Sequence, residues 1–260
     1  MDLVNSDCIL IMGSNMAENH PVGFRFVVEA RERGAQVIHV DPRYTRTSAS
    51  ASRYVALRSG SDIVFLGALI NHVLSNELYF ADYVRAFTNA AVILDEEYVD
   101  AEDNDGLFSG FDGASVEGHY DPALAHWSYG ERAPAGPDFH IDRDPSLQHP
   151  RCVMQVLRRH FARYTPEMVE QVTGCPKETL LAVARTVLEN SGRDRTTAWA
   201  YAVGWTQHTY GPQTIGCCAL LQLLLGNVGR PGGGVLALRG HASIQARPTC
   251  PPCTTAFTAT

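Results

Sequence analysis

Cys8-Ile9-Leu10-Ile11-Met12-Gly13-Ser14-Asn15, an amphipathic run from Val22 to Arg33 closed by Gly34, and then Gln36-Val37-Ile38-His39-Val40-Asp41-Pro42-Arg43: this stretch decides the fold. Cys8 to Met12 is short and continuously apolar, as a parallel strand buried on both faces must be. Gly13 permits a tight turn with a close backbone approach. Pro21 suits the first turn of a helix, where no amide hydrogen is lost. Gly34 stops that helix. A second strand then ends at Asp41. The order is strand, turn, helix, strand, turn, and in open α/β sheets ligands bind outside the carboxyl edge of the strands.

The pattern alone fits an α/β layer that binds nothing as well as one that binds a ligand. The first turn lacks G-x-G-x-x-G, so a nicotinamide or flavin site has little support. More specific are Gly13-Ser14-Asn15 with Glu18-Asn19-His20-Pro21, Asp41-Pro42-Arg43-Tyr44-Thr45, and Ser59-Gly60-Ser61-Asp62. Together they closely resemble the molybdopterin oxidoreductases of the dimethyl sulfoxide reductase superfamily. Within it they resemble the catalytic (alpha, or major) subunit of membrane-associated formate dehydrogenases. The resemblance implies an α/β, Rossmann-like layered αβα domain with a mainly parallel sheet. It also implies that these loops hold one of the two molybdopterin guanine dinucleotides of a full subunit. On that reading Asp62 accepts from guanine N1 and N2, and Asp41 accepts from a ribose hydroxyl. Asn15 and the amides of the Gly13 turn approach the pyrophosphate. Ser14, Glu18, Arg43, Thr45, Ser59 and Gly60 complete the cofactor set from these loops.

The chain has 260 residues, 45% hydrophobic and 19% charged, with a net charge of −7, which speaks against a non-specific nucleic-acid role. No apolar run reaches the roughly 20 residues needed to span a bilayer, so no direct membrane insertion is expected. Residues 1–5 have neither a basic region nor an apolar core, so no export signal is read there. Seven cysteines show no disulfide-scaffold spacing, and the histidines show no zinc-ligand spacing.

Farther along, Ile63 to about Asn76 reads as a buried helix that Ser61 or Asp62 caps, and Tyr79 to Phe87 as a short one. Residues 99–147 are rich in Gly, Asp, Pro and aromatics and read as a peripheral loop insertion. Helices are expected over Cys152 to Arg163, from Thr165-Pro166 to Gly174, and from Pro176 to Leu188. Cys152 and Cys175 read as small core residues. Ala198 to Val203 reads as a buried strand, with Gly204-Trp205-Thr206-Gln207-His208 as the turn at its carboxyl end. Pro212 to Leu225 reads as an apolar helix and Val235 to Leu238 as a last strand, leading into Arg239-Gly240-His241. This second half also resembles the formate dehydrogenase alpha subunit, which implies cofactor contacts from Gly204, Trp205, Gln207 and His208. Arg239 matches the family's active-site arginine. A guanidinium is always charged and grips a carboxylate through two parallel hydrogen bonds, so it suits formate. His241 is a candidate pterin contact, direct or through a neighbour. No metal ligand is assigned.

The function implied is oxidation of formate to carbon dioxide in an anaerobic respiratory enzyme. The metal is molybdenum or tungsten, and electrons pass to iron–sulfur clusters. Partners are the rest of the alpha subunit, an iron–sulfur beta subunit and a membrane cytochrome subunit, with the parent protein periplasmic. The family's metal-ligating selenocysteine or cysteine and its N-terminal 4Fe–4S domain fall upstream of Met1. The chain therefore reads as an internal fragment, inactive alone, with residues 1–245 as the oxidoreductase domain. Other readings are a non-catalytic nucleotide-binding remnant, or a sister enzyme acting on nitrate or a sulfoxide. Residues 246–260 depart from the family. Deleting one G from codons for a family-like continuation after Gln245 yields this tail, so it reads as a frameshifted, non-native segment. Cys250-Pro-Pro-Cys253 is only half a zinc site.

Overall fold

A computed structural model describes residues 2–94, 96, 98–105, 120–121, 126–127 and 142–240. The chain begins with β1 (Cys8–Met12), α1 (Met16–Asn19), α2 (Pro21–Glu32), β2 (Gln36–Val40), α3 (Arg46–Ser50), β3 (Arg53–Val55), α4 (Asp62–Ser75) and α5 (Ala81–Phe87). A two-residue antiparallel pair, β4 (Tyr120–Asp121) with β5 (His126–Trp127), stands apart from the main sheet. There follow α6 (Val153–Phe161), α7 (Pro166–Thr173), α8 (Lys177–Glu189), β6 (Thr197–Tyr201), α9 (Val203–Thr206), α10 (Gly211–Leu224) and β7 (Gly234–Ala237).

The main sheet has the order β3-β2-β1-β6-β7, and every pairing in it is parallel. The two-residue period of a strand sorts its side chains between two layers. Ile9 and Ile11 of β1, Val37 of β2, and Ala198 and Ala200 of β6 pack with Phe24, Val27 and Ala30 of α2. Cys8, Leu10 and Met12, with Ile38, Val40 and Trp199, face the other way, onto Phe65, Leu66 and Leu69 of α4 and Leu221 of α10. With both faces covered, β1 is buried along its whole length. The fold is therefore the layered αβα arrangement that the sequence implies.

Several boundaries differ from the sequence reading by a residue or two: α4 begins at Asp62 itself, and Ser61 Oγ turns back to donate to the Arg58 carbonyl at 2.6 Å instead of capping. Thr165 does cap α7, accepting from the Met168 amide at 3.2 Å, and Gly174 ends it at φ +74°. The turn expected after β6 is wound into one short helical turn, α9, at Val203–Thr206. Elements α1, α3 and β3 were not anticipated; β3 has three residues and buries only Val55. At the far end of the expected insertion, residues 142–147 belong to the main body: Leu147 is fully buried and its carbonyl accepts from Gln155 Nε2 at 2.7 Å. Cys152 and Cys175 are buried core residues, and burial pushes the Cys175 thiol up to about 11. The tail 246–260 lies outside the described residues.

The turns after β1 and β6 meet backbone to backbone. The Gly204 amide donates to the Gly13 carbonyl at 3.0 Å. A Cβ on Gly204 would lie 2.6 Å from both Cα and O of Gly13. Gly13 itself takes φ +62°, where a side chain is strained, and a Cβ there would meet Trp205 Cδ1 at 2.8 Å. We predict that Gly204→Ala, which needs no unusual φ but has no room, destabilises the chain by about 1–3 kcal/mol. An unchanged urea midpoint would show that the two turns part freely.

Candidate functional site

The strand order changes direction at β1: β2 lies on one side and β6 on the other. The carboxyl ends of β1, β2, β6 and β7 open there onto a cavity of about 490 Å³, within the range that holds small-molecule ligands. Gly13, Ser14 and Asn15 form its floor after β1. Asp41, Pro42, Arg43 and Thr45 come from the end of β2, Ser59 and Asp62 from the approach to α4, Ala202, Val203, Gly204 and His208 from the β6 turn, and Leu238 and Gly240 from the end of β7. Asn19 and His20 complete the wall. Ten residues named from sequence thus converge on one space: Gly13, Ser14, Asn15, Asp41, Arg43, Thr45, Ser59, Asp62, Gly204 and His208.

Five others stand beside the cavity, not on its wall. Glu18 accepts from Asn15 Nδ2 and pairs with Arg46 at 3.5 Å. Gly60, at φ +81°, packs under Tyr210, whose hydroxyl donates to the Gly60 carbonyl. Gln207 is exposed. Arg239 is exposed between two lining residues, Leu238 and Gly240. Trp205 is buried behind the wall, and its indole N–H donates to Asp62 Oδ1 at 3.0 Å. It thereby holds one oxygen of Asp62 in place. His241 lies outside the described residues.

Asp62 is the most buried charged residue of this wall. It is 7% exposed at the first turn of α4. Burial raises its pKa, opposed by the Trp205 hydrogen bond and by nearby His208. Asp41 Oδ1 accepts the Arg43 amide at 2.9 Å, which curls the loop after β2. Asn15 is already engaged: its Oδ1 accepts from Thr47 Oγ1 at 2.9 Å, and Thr47 Oγ1 accepts the Ala17 amide at 3.0 Å.

Sequence reasoning passed over two histidines. His39, fully buried in β2, has Nδ1 2.8 Å from Ser48 Oγ and Nε2 3.2 Å from the Ser14 carbonyl. A carbonyl only accepts, so Nε2 carries the proton and the Ser48 hydroxyl donates to Nδ1. Burial draws the His39 pKa down and favours that neutral form, although Asp41 Oδ2 lies 3.8 Å away. His39 thereby ties the β1 turn to α3. The signal was a polar residue within the apolar, buried run of residues 37–40. The second, His20, closes the wall between α1 and α2. Among the described residues four buried side-chain polar atoms lack a hydrogen-bond partner; three of them, Ser14 Oγ, His20 Nδ1 and Thr45 Oγ1, belong to residues of this wall. Buried polar groups are normally paired, so these atoms mark where a polar ligand completes the site.

The protein-family model described as molybdopterin oxidoreductase matches residues 1–250. The chain is 45% identical over 246 residues to the formate dehydrogenase-O major subunit of Escherichia coli (strain K12), covering 94% of this chain and 23% of that protein. It is 45% identical over 245 residues to the formate dehydrogenase subunit alpha of Megalodesulfovibrio gigas, again 94% of this chain and 23% of that protein. The chain thus spans about a quarter of the length of these relatives. Among solved structures, acetylene hydratase from Pelobacter acetylenicus superposes with a TM-score of 0.56 at 17% identity, over 86% of this chain and 22% of that one, which is a likeness of fold.

Asp62 yields a test of the site's electrostatics. Its raised pKa means that the folded chain holds the proton more tightly than the unfolded chain does. Its contribution is favourable below the ordinary value of 3.8 and is lost as pH rises through the raised value. We predict that Asp62→Asn, whose carboxamide oxygen still accepts from Trp205, is more stable than the parent in the ligand-free chain at neutral pH. The difference should vanish in acid. Equal melting midpoints at neutral pH would contradict this.

Proposed function

The chain belongs to the molybdopterin oxidoreductase family, and from that premise we propose that it is part of the catalytic subunit of a formate dehydrogenase, oxidising formate to carbon dioxide. The observation that carries this reading is a likeness to formate dehydrogenase subunits that runs along nearly the whole chain.

The cofactor it implies is a molybdopterin guanine dinucleotide with molybdenum or tungsten, and the wall described above suits the nucleotide part. Asp62 is a carboxylate with one oxygen tied to Trp205, and its remaining acceptor capacity suits the paired N–H donors of guanine. Asp41 is left to accept from a ribose hydroxyl. With the Asn15 side chain engaged by Thr47 and Glu18, the pyrophosphate falls to the unpartnered hydroxyls of Ser14 and Thr45, to Arg43, and to the amides of the Gly13 turn. When bound, the metal–pterin group supplies the two-electron redox chemistry. Arg239, exposed beside the rim, holds the formate carboxylate through its planar two-pronged donor set. Its context is that of a binding group, since it forms no ion pair with another described residue.

In this reading the metal ligand, the second pterin and a 4Fe–4S cluster come from the rest of the alpha subunit, and these 260 residues alone do not oxidise formate. Electrons leave through iron–sulfur clusters to a beta subunit and a membrane cytochrome subunit, in a periplasmic assembly. One relative is named as linked to cytochrome c-553, which accords with a cytochrome acceptor.

Two variants of the full-length subunit test the proposal. Asp62→Ala should be purified without this pterin nucleotide, because guanine loses charge-assisted hydrogen bonds of about 1.5–3 kcal/mol each. Arg239→Lys should keep nucleotide and metal but lose about ten- to a hundredfold in formate turnover, since a point charge cannot reproduce the two-pronged grip. Normal cofactor content in the first, or unchanged kcat/KM in the second, would remove that residue from its role. A subunit that holds pterin but reduces another substrate would overturn the formate assignment.

A further inference from the structure

His20 touches both the cavity and the strand end that carries Arg239. Its ring Nε2 lies 3.1 Å from the Arg239 carbonyl oxygen. A carbonyl offers no proton, so Nε2–H is the donor. The backbone beneath this ring is firmly held. The His20 amide donates to the Met16 carbonyl at 2.9 Å, the His20 carbonyl accepts from the Phe24 amide at 2.9 Å, and Pro21 starts α2 directly after it. On the opposite side the Leu238 amide donates to the Tyr201 carbonyl at 2.8 Å, which extends the β6–β7 pairing by one step. The Arg239 peptide is thus held between the sheet and one imidazole, while the guanidinium stays exposed.

We infer that His20 is a positioning residue: it braces the Arg239 backbone against the α1–α2 junction and so sets where the arginine presents its guanidinium to the substrate carboxylate, a role that rests on the formate reading above. The second ring nitrogen adds a link to the cavity. His20 Nδ1 is buried and unpartnered. With Nε2–H committed to the carbonyl, a neutral ring leaves Nδ1 as an acceptor, so the ligand group that reaches it is a hydroxyl or N–H donor. One ring then spans from the bound ligand to the substrate-binding arginine.

The two nitrogens can be separated by substitution, because glutamine places its amide nitrogen where Nε2 stood and asparagine places its own near Nδ1. In the full-length subunit, His20→Asn should raise the KM for formate about tenfold, the worth of one brace of ordinary hydrogen-bond strength, a larger change than in kcat. His20→Gln should raise it much less. A second readout needs no catalysis. In the cofactor-free chain, exchange of the Leu238 amide should quicken in His20→Asn and His20→Ala but not in His20→Gln. If the Gln and Asn variants behave alike in both measurements, the brace does not exist. Should the parent subunit fail to oxidise formate, the formate reading falls, and the exchange ordering alone still decides whether His20 holds this loop.

Discussion

Two glycines that touch decide where everything else stands. Gly13 opens the turn after β1 and Gly204 lies in the helical turn after β6, the adjacent parallel strand, and no side chain fits between them. Because these turns meet, the loops after β1 and β6 form one continuous floor. The cavity rests on that floor, the β2 loop closes it on one side and the end of β7 closes it on the other. Larger residues at either glycine would push the floor apart and with it every wall residue attached to those turns. A crevice at a change of strand direction is a general property of open α/β sheets. The glycine contact turns that general opening into a particular shape.

Around this floor the protein holds polar groups in states that are unfavourable without a ligand. Asp62 is a carboxylate kept 7% exposed, with an indole N–H on one oxygen, and burial raises its pKa. Ser14 Oγ, Thr45 Oγ1 and His20 Nδ1 are buried without partners. Each such arrangement costs stability in the free chain. Elsewhere in the fold polar side chains are well paired: His39 is satisfied on both nitrogens, and at the amino ends of β6 and β7 Asn227 bonds to Thr197, Ser191 and Gln222 while Gln222 bridges Thr197 and Gly234. Well-paired supporting groups beneath unpartnered wall atoms are what a preorganised binding site requires.

How much of this could be read from the chain depended on range. Strands β1, β2 and β6 were legible because burial on both faces forces a continuous apolar run. The three-residue β3 left no such mark, since only Val55 is buried. The place of a residue fixed by its own strand and loop, such as Asp41 at the carboxyl end of β2, is recognisable from the sequence. A role set by a distant partner is not. Trp205 is recognisable as a member of the loop after β6, but nothing near it in the sequence shows that its indole meets a carboxylate 143 positions away. His39 and His20 were overlooked for a related reason. An apolar strand and a His-Pro helix start each explain their surroundings fully, and the carbonyls that the rings meet, those of Ser14 and Arg239, cannot be located without the folded chain.

The pairing of β1 with β6 has a consequence for what a ligand can recognise. Thr196 donates to the Asp7 carboxylate across 189 residues of sequence, whereas β1 and β2 are joined by one short helical crossover. A chain with only β1, β2 and β3 in place would own one wall and half a floor. It would contain Asp41, Arg43 and Thr45, but none of the β6 or β7 residues that face them. Bound ligand therefore favours only the state in which the most distant parts of the sequence have already met, and mass action draws the population towards it. A ligand seated in this cavity is in this sense a clasp on the topology: it fastens the long-range join that makes five strands a single sheet.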